Sequence, residues 1–296
     1  MKLRKEISGL HYFDRKSGIH ILMDEVTLNE NEISNSPRIV SIALTNICDL
    51  KCHFCYAPKN KETLSFESLK KITKKLDEIG VLELTFGGGE PTLFPNFTEL
   101  CDWIWNNTSL GISFTTHGHK MKKEFVEQLI GNVSMIRFSI DGVEPRYSEI
   151  RGKKLSDLLK KIEFVKGKIP FGINCVVSKN GIRELEKVIE LAISISSENV
   201  LIIPEHLNGV FQLTENDWVE LDKIIEKYDS EIELLVTHEA ANFIKSKTLE
   251  ISNPNEFLFS HISANNKLKI NSYDKEGIEI DNINEIEKYF KQINKI

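Results

Sequence analysis

Three of the chain's five cysteines fall within eight residues, Cys48-Asp49-Leu50-Lys51-Cys52-His53-Phe54-Cys55. Three thiolates at this spacing can hold three irons of a cubane cluster and leave the fourth iron open. A cluster on four cysteines is usually an electron carrier, whereas one held by three keeps a site for a small molecule. Two other readings stand beside it. Buried cysteines act as small hydrophobes, but this segment is polar (Asn46, Asp49, Lys51, His53). Structural zinc wants a fourth ligand, for which His53 is at hand.

Further polar and glycine-rich segments follow downstream. Gly87-Gly88-Gly89-Glu90-Pro91 ends an apolar run, Val81–Phe86. Glycines let backbone approach a ligand closely, and Glu90 supplies an acceptor for an ammonium group. Ser139-Ile140-Asp141-Gly142 ends the run Met135–Ile140. Side chains alternate along a strand, so Arg137, Ser139 and Asp141 share one face, opposite Ile136, Phe138 and Ile140. The same parity turns Asn174 inward with Gly172 and Val176, and Cys175 outward with Phe171, Ile173 and Val177. In Thr115-Thr116-His117-Gly118-His119, His117 is in phase with Thr115 and Ser113. Glu205 and His206, in Pro204–Gly209, are candidates for substrate recognition or plain surface loop.

Alternating strands and helices must position these groups. Strands are predicted at Ile39–Thr45, Val81–Phe86, Ile112–Thr116, Met135–Ile140, Phe171–Val177 and Val200–Ile203. Helices are predicted from the N-cap Ser65 to Gly80, over about 96–106, over 121–130, through Leu155–Val165, and over 182–195 and 215–228. Six such units imply an α/β fold with a parallel sheet, curved into a partial (β/α)6 barrel or open. Ligands of such sheets sit at the carboxyl ends of the strands, where the cysteine, glycine and serine segments all fall. Residues 1–37 are read as an N-terminal hairpin extension that turns at Lys16-Ser17-Gly18, and 38–229 as the core. Residues 230–296 are read as a mixed α/β extension: a helix near 239–248, a hairpin pairing Leu268–Asn271 with Gly277–Ile280, and a last helix over 283–293.

Cys-x3-Cys-x2-Cys followed by an aromatic, Tyr56, at the end of a first strand resembles the radical S-adenosylmethionine (SAM) superfamily. The resemblance covers about residues 38–204. It implies one [4Fe–4S] cluster on Cys48, Cys52 and Cys55, with SAM on the open iron. Reduction then cleaves SAM to methionine and a 5′-deoxyadenosyl radical. It further implies that Gly88, Gly89 and Glu90 cradle the SAM amino group. Ser139 and Asp141 would meet the ribose or carboxylate. Arg151 meets the carboxylate, unless it is a surface ion pair. Tyr56, Thr115, His117 and Asn174 join the cofactor-binding set, and no catalytic side chain is assigned. The C-terminal hairpin has the rhythm of the cysteine-rich SPASM or twitch domains of peptide-modifying relatives, but no cysteine follows Cys175 in this sequence. A single cluster is therefore expected.

The bulk numbers agree with an enzyme of this kind. Of 296 residues 41% are hydrophobic and 28% charged, with a net charge of −6. No phosphate-binding surface is indicated, so nucleic acid is excluded as a partner. Neither a signal segment nor a membrane-spanning run is expected, and clustered cysteines in odd number suit a reducing cytoplasm. The expected partners are a peptide or small-molecule substrate and an electron donor such as flavodoxin or ferredoxin. Hydrogen abstraction from a peptide, leading to an epimer or crosslink, is the first reading. A nucleotide or cofactor precursor as substrate is the second, and a non-catalytic iron–sulfur or zinc protein the third.

Overall fold

The computed structural model describes residues 1–207, 210–246 and 257–293. Strands β1 (Lys2–Glu6), β2 (Gly9–Asp14) and β3 (Ile19–Met23) form a small antiparallel sheet. The expected hairpin is its second half, and β1 was not anticipated. The core then runs β4 (Ile39–Thr45), α1 (Phe66–Glu78), β5 (Glu83–Gly88), α2 (Phe97–Asn107), β6 (Gly111–Thr116) and α3 (Lys123–Leu129). It continues with β7 (Met135–Ser139), a short α4 (Arg146–Arg151), α5 (Leu155–Val165), β8 (Phe171–Val177), α6 (Ile182–Ser194) and β9 (Asn199–Pro204). After a small hairpin of β10 (His206–Leu207) and β11 (Val210–Phe211) come α7 (Glu215–Tyr228), β12 (Glu233–Val236), α8 (His238–Ala241), β13 (Phe259–Ile262), β14 (Lys267–Lys269), β15 (Ile278–Glu279) and α9 (Ile286–Ile293).

The α/β reading with six parallel strands holds. Those strands are the middle of a ten-stranded sheet, ordered β12-β9-β8-β7-β6-β5-β4-β13-β14-β15. The segment from residue 230 adds a parallel strand at each edge, β12 beside β9 and β13 beside β4, and the expected hairpin is β14–β15. Two boundaries differ from expectation. The second strand starts two residues later and runs into the glycines, because Leu82 and Glu83 first bond back to the Arg38 carbonyl. The helix expected near 239–248 ends at Ala241, and the rest of that prediction, from 247, lies outside the described residues.

Strand parity sorts the core. Ile136, Phe138, Ile140, Ile173 and Cys175 are buried among apolar residues on the helix side, while Arg137, Ser139 and Asn174 line the lumen. Cys175 and Cys101 both belong to that apolar layer, and burial pushes both thiols up. Neither thiol reaches the lumen.

The N-terminal sheet is tied to the barrel by charge as well as by packing. The Glu6 carboxylate lies between Arg4, Arg38 and His11, all buried. Burial alone would raise its pKa, yet the hydrogen bonds from His11 and Arg38 hold it at about 2. A carboxyl depressed from 4.5 contributes stability above its unfolded value and loses it as pH falls toward 2. Glu6→Gln should therefore lower stability near neutral pH by about 3 kcal/mol and flatten acid unfolding over that window, measured by denaturant titration at several pH values.

Candidate functional site

The segments after β4, β5, β6, β7 and β9 converge at the carboxyl edge of the sheet over a cavity of about 1730 Å³. Cys48, Cys52 and Cys55 all line it, half-exposed and free of disulfides. Two donors aim at their sulfurs. The Leu50 N–H lies 3.4 Å from Cys48 Sγ, and Arg151 Nη1 lies 3.5 Å from Cys52 Sγ. Burial raises both thiols, with Arg151 opposing it at Cys52. Donors directed at sulfur stabilise thiolate, the form that ligates metal.

The donor set fits a cluster better than one ion. A single four-coordinate zinc draws thiolates close, at about 2.3 Å from the metal. Among the described residues, the group whose ligand atoms all lie within 4.8 Å is Cys48, Asp49 and His117, not the cysteine triplet. That group also lacks a free imidazole lone pair. His117 Nδ1 accepts from the His119 N–H at 3.1 Å, so Nε2 carries the proton and donates to Asp49 Oδ1 at 2.8 Å. His53, the other candidate ligand, is exposed. Asp49 thus ties the cysteine loop to the end of β6. Burial works against its charge, but His117 holds its carboxyl below the usual range.

The glycine loop is shaped by this same cysteine loop. A Cβ on Gly89 would lie 2.2 Å from the Ile47 carbonyl oxygen, and one on Gly88, at φ 107°, would lie 2.4 Å from that of Thr45. A Cβ on Gly87 would meet nothing within 4 Å. The carboxylate of Glu90 is 1% exposed and taken up by the chain's own donors. Oε1 accepts from Thr92 N (3.2 Å), Thr92 Oγ1 (2.7 Å) and Thr116 Oγ1 (2.6 Å), and Oε2 from His117 N (3.0 Å). It locks the β5 and β6 loops together beside the cavity. Gly89→Ala should consequently displace the cysteine loop and reduce SAM cleavage by at least about tenfold, a loss of 1.4 kcal/mol or more. Gly87→Ala should leave folding and iron content unchanged. Comparing iron content and 5′-deoxyadenosine formation in the two variants checks this.

Arg151 is no surface ion pair. Its Nε donates to Asp141 Oδ2 at 2.8 Å and its Nη2 donates to the same oxygen, with side-chain exposures of 10% and 1%. Burial alone would lower the Arg151 pKa, but Asp141 drives it upward. Asp141 Oδ1 also accepts the Val176 N–H at 3.0 Å, so its carboxylate holds Arg151 against the cluster loop. Thr115 Oγ1 accepts from Asn174 Nδ2 at 3.2 Å, and Ser139 faces Asn174 in register, all on the lumen side. Tyr56, 47% exposed, packs edge-on against Tyr273 at 5.4 Å, and Tyr273 stacks on His206 at 4.6 Å. Glu205 and His206 both line the mouth, whereas Asn208 and Gly209 lie outside the described residues.

Sequence reasoning missed Asp49, Tyr273 and the lumen role of Arg137. Asp49 carried a signal, being an acid beside a ligand cysteine. Arg137 was placed inward by parity but given no part. Tyr273 gives none, since only the β14–β15 connection brings it beside Tyr56.

A parallel partial barrel with thiols and a glycine loop at its carboxyl edge defines an iron–sulfur enzyme of the SAM-cleaving kind. The family model "Radical SAM superfamily" matches residues 42–192, about half of the chain. The chain belongs to the radical SAM superfamily and is an enzyme of that class, whose chemistry runs on a [4Fe–4S] cluster and SAM. It is similar to the sporulation killing factor maturation protein SkfB of Bacillus subtilis, 29% identical over 199 residues, 64% of this chain and 47% of that protein. It is also similar to GTP 3′,8-cyclase of Vibrio parahaemolyticus, 27% identical over 151 residues, 47% of this chain and 45% of the relative. The matched stretch spans about half the length of these relatives. The fold resembles that of Streptococcus suis SuiB bound to precursor peptide SuiA, with TM-score 0.74 and 15% identity over 96% of this chain and 86% of that one. It also resembles anSMEcpe with bound AdoMet and Cp18Cys peptide, with TM-score 0.65 and 18% identity over 88% and 81%. Among the described residues no helix is long and apolar enough to cross a membrane.

Proposed function

We propose that this enzyme modifies a peptide by hydrogen-atom abstraction. Cys48, Cys52 and Cys55 hold its one [4Fe–4S] cluster, and residues 230–296 act as a cluster-free C-terminal extension of the 38–229 core. When bound, the cluster and SAM supply the 5′-deoxyadenosyl radical. The rest is the protein's. Gly87, Gly88 and Gly89 leave backbone open to the amino group of SAM, while Glu90 and His117 brace that loop against the cysteine loop. Arg151, held by Asp141 and set against Cys52, offers its guanidinium charge to the carboxylate. Ser139, Thr115 and Asn174 face the ribose, and Tyr56 closes over the adenine side. The walls exclude water and set the target C–H beside the 5′ carbon. A flavodoxin or ferredoxin delivers the electron.

The observation that carries the peptide reading is the cavity itself. At about 1730 Å³ it exceeds the 300–1,000 Å³ typical of one small-molecule site, which leaves space for a substrate beside the cluster and SAM that share it, and it runs from the cysteine loop to Gly18 of the N-terminal sheet. The bound peptides of SuiB and anSMEcpe and the maturation role named for SkfB are consistent with it. The likeness to GTP 3′,8-cyclase keeps a nucleotide substrate as the second reading. Anaerobically reconstituted protein, SAM and reductant should be incubated with short peptides encoded beside the gene, and separately with GTP. A mass change in a peptide is expected, and turnover of GTP with every peptide untouched would refute the first reading.

A further inference from the structure

The lower lumen holds an accessible carboxylate that accepts no hydrogen bond from the described residues. Glu83 begins β5, four residues before Gly87, and so lies about 13 Å below the glycine loop. It lines the same cavity, with its side chain 20% exposed. Gly111 stands in register with it on β6, where a Cβ would lie 3.3 Å from Glu83 Cγ. The group that faces the carboxylate is His20 of β3, also on the cavity wall and 22% exposed, whose Nε2 lies 3.7 Å from Oε2.

A chain of hydrogen bonds fixes which form of His20 Nε2 faces Glu83. The Glu6 carboxylate, held ionised beside Arg38, accepts from His11 Nδ1 at 3.1 Å. In the neutral ring His11 Nε2 is then an acceptor, and His20 Nδ1 donates to it at 2.9 Å. Burial keeps His20 neutral, its pKa lowered to about 4, so Nε2 turns a lone pair toward Glu83. Two acceptors thus converge on one corner of the lumen, and no donor among the described residues answers them.

Charge points the same way. Arg137 is the cation that acts on Glu83, but Glu233 draws on the same guanidinium, so two carboxylates share one positive charge. Burial accordingly pushes the Glu83 carboxyl up to about 7. Two ligand atoms are too few for a metal ion, and the three-ligand group among the described residues is Cys48, Asp49 and His117. An ammonium brings one charge and three donors, which suits both acceptors.

We propose that Glu83 and His20 anchor the substrate peptide by a primary ammonium, that of a lysine side chain. A four-methylene stem spans roughly 6 Å, about half of the way back to the glycine loop, so the main chain of that lysine would come within reach of the SAM site. The peptide's own amino terminus is the other source of the same group. The proposal rests on the peptide reading above and names the residue that the lumen takes.

The test titrates N-acetyl-lysine N-methylamide into SAM-loaded, reconstituted enzyme by anaerobic calorimetry. The comparison probes are the norleucine and Nε-acetyl-lysine counterparts, which keep the stem without the charge, and alanine N-methylamide with a free amino group. The lysine probe should bind at least about tenfold tighter than the two uncharged ones. In Glu83→Gln that preference should shrink to within about twofold, while the melting midpoint holds or rises because an unbalanced buried carboxyl is gone. Tightest binding of the free-amino alanine probe, lost in Glu83→Gln, upholds the ammonium site and assigns it to the peptide's amino terminus. Equal binding of the lysine and norleucine probes, indifference to Glu83→Gln, or no binding overturns the proposal. So does a midpoint several degrees lower in Glu83→Gln, which would make Glu83 the structural counter-ion of Arg137. A substrate peptide modified as readily with norleucine at every lysine and a blocked amino terminus sinks this assignment alone, whereas turnover of GTP with every peptide untouched sinks the peptide reading.

Discussion

Cys52→Ala is expected to leave a folded protein that assembles no stable cluster. Iron should fall from about four per chain to under one, and 5′-deoxyadenosine formation to background. The thiol sits on a half-exposed loop outside the apolar core, so its removal opens no core cavity. It has no substitute, because Cys101 and Cys175 are buried on the helix side of the sheet and reach no part of the lumen. Circular dichroism should therefore match the parent while iron and activity vanish together. Cys175→Ala is the control and should keep both. An alanine variant that retains iron and SAM cleavage would remove the triplet from the cofactor site. Zinc in place of iron in the parent would restore the structural-metal reading.

Much of this arrangement was legible in the residues themselves. The βα alternation is regular because each helix must cover the sheet with one apolar stripe, and Leu69, Ile72 and Leu76 of α1 display that stripe openly. Period-two alternation likewise turns Arg137, Ser139 and Asn174 inward from the sequence alone. The edge strands were not legible, for a physical reason. β12 is four residues long, and β13 reads Phe-Ser-His-Ile, in which Ser260 and His261 are buried against neighbouring strands. Pairing with distant parts of the chain makes these segments strands, and local pattern carries no trace of that. The same holds within the site. Glu90 reads as a ligand acceptor in sequence, but its saturation by Thr92, Thr116 and His117 depends on β5 and β6 lying side by side.

The Asp141–Arg151 pair should prove to be a device for aiming a cation, and a three-variant comparison separates that role from simple stability. Breaking a buried ion pair by removing one charge costs about 3–5 kcal/mol, which for a chain of this size lowers the melting midpoint by on the order of 10 °C. Asp141→Asn preserves the shape but leaves the Arg151 guanidinium with no balancing charge, so it should show that full loss. Replacing both partners by apolar residues, Asp141→Leu with Arg151→Met, removes the uncompensated charge and should recover most of the stability. Activity should not recover with it. Arg151 Nη1 lies 3.5 Å from Cys52 Sγ, and its Cζ sits 5.9 Å from the centre of the Phe54 ring, so the guanidinium is placed against the cysteine loop as well as against Asp141. The double variant should melt near the parent yet bind SAM at least about tenfold more weakly, a difference of 1.4 kcal/mol or more. Equilibrium dialysis with labelled SAM reads this directly. A double variant that regains both stability and SAM affinity would reduce the pair to packing, and the carboxylate of SAM would then need another cation.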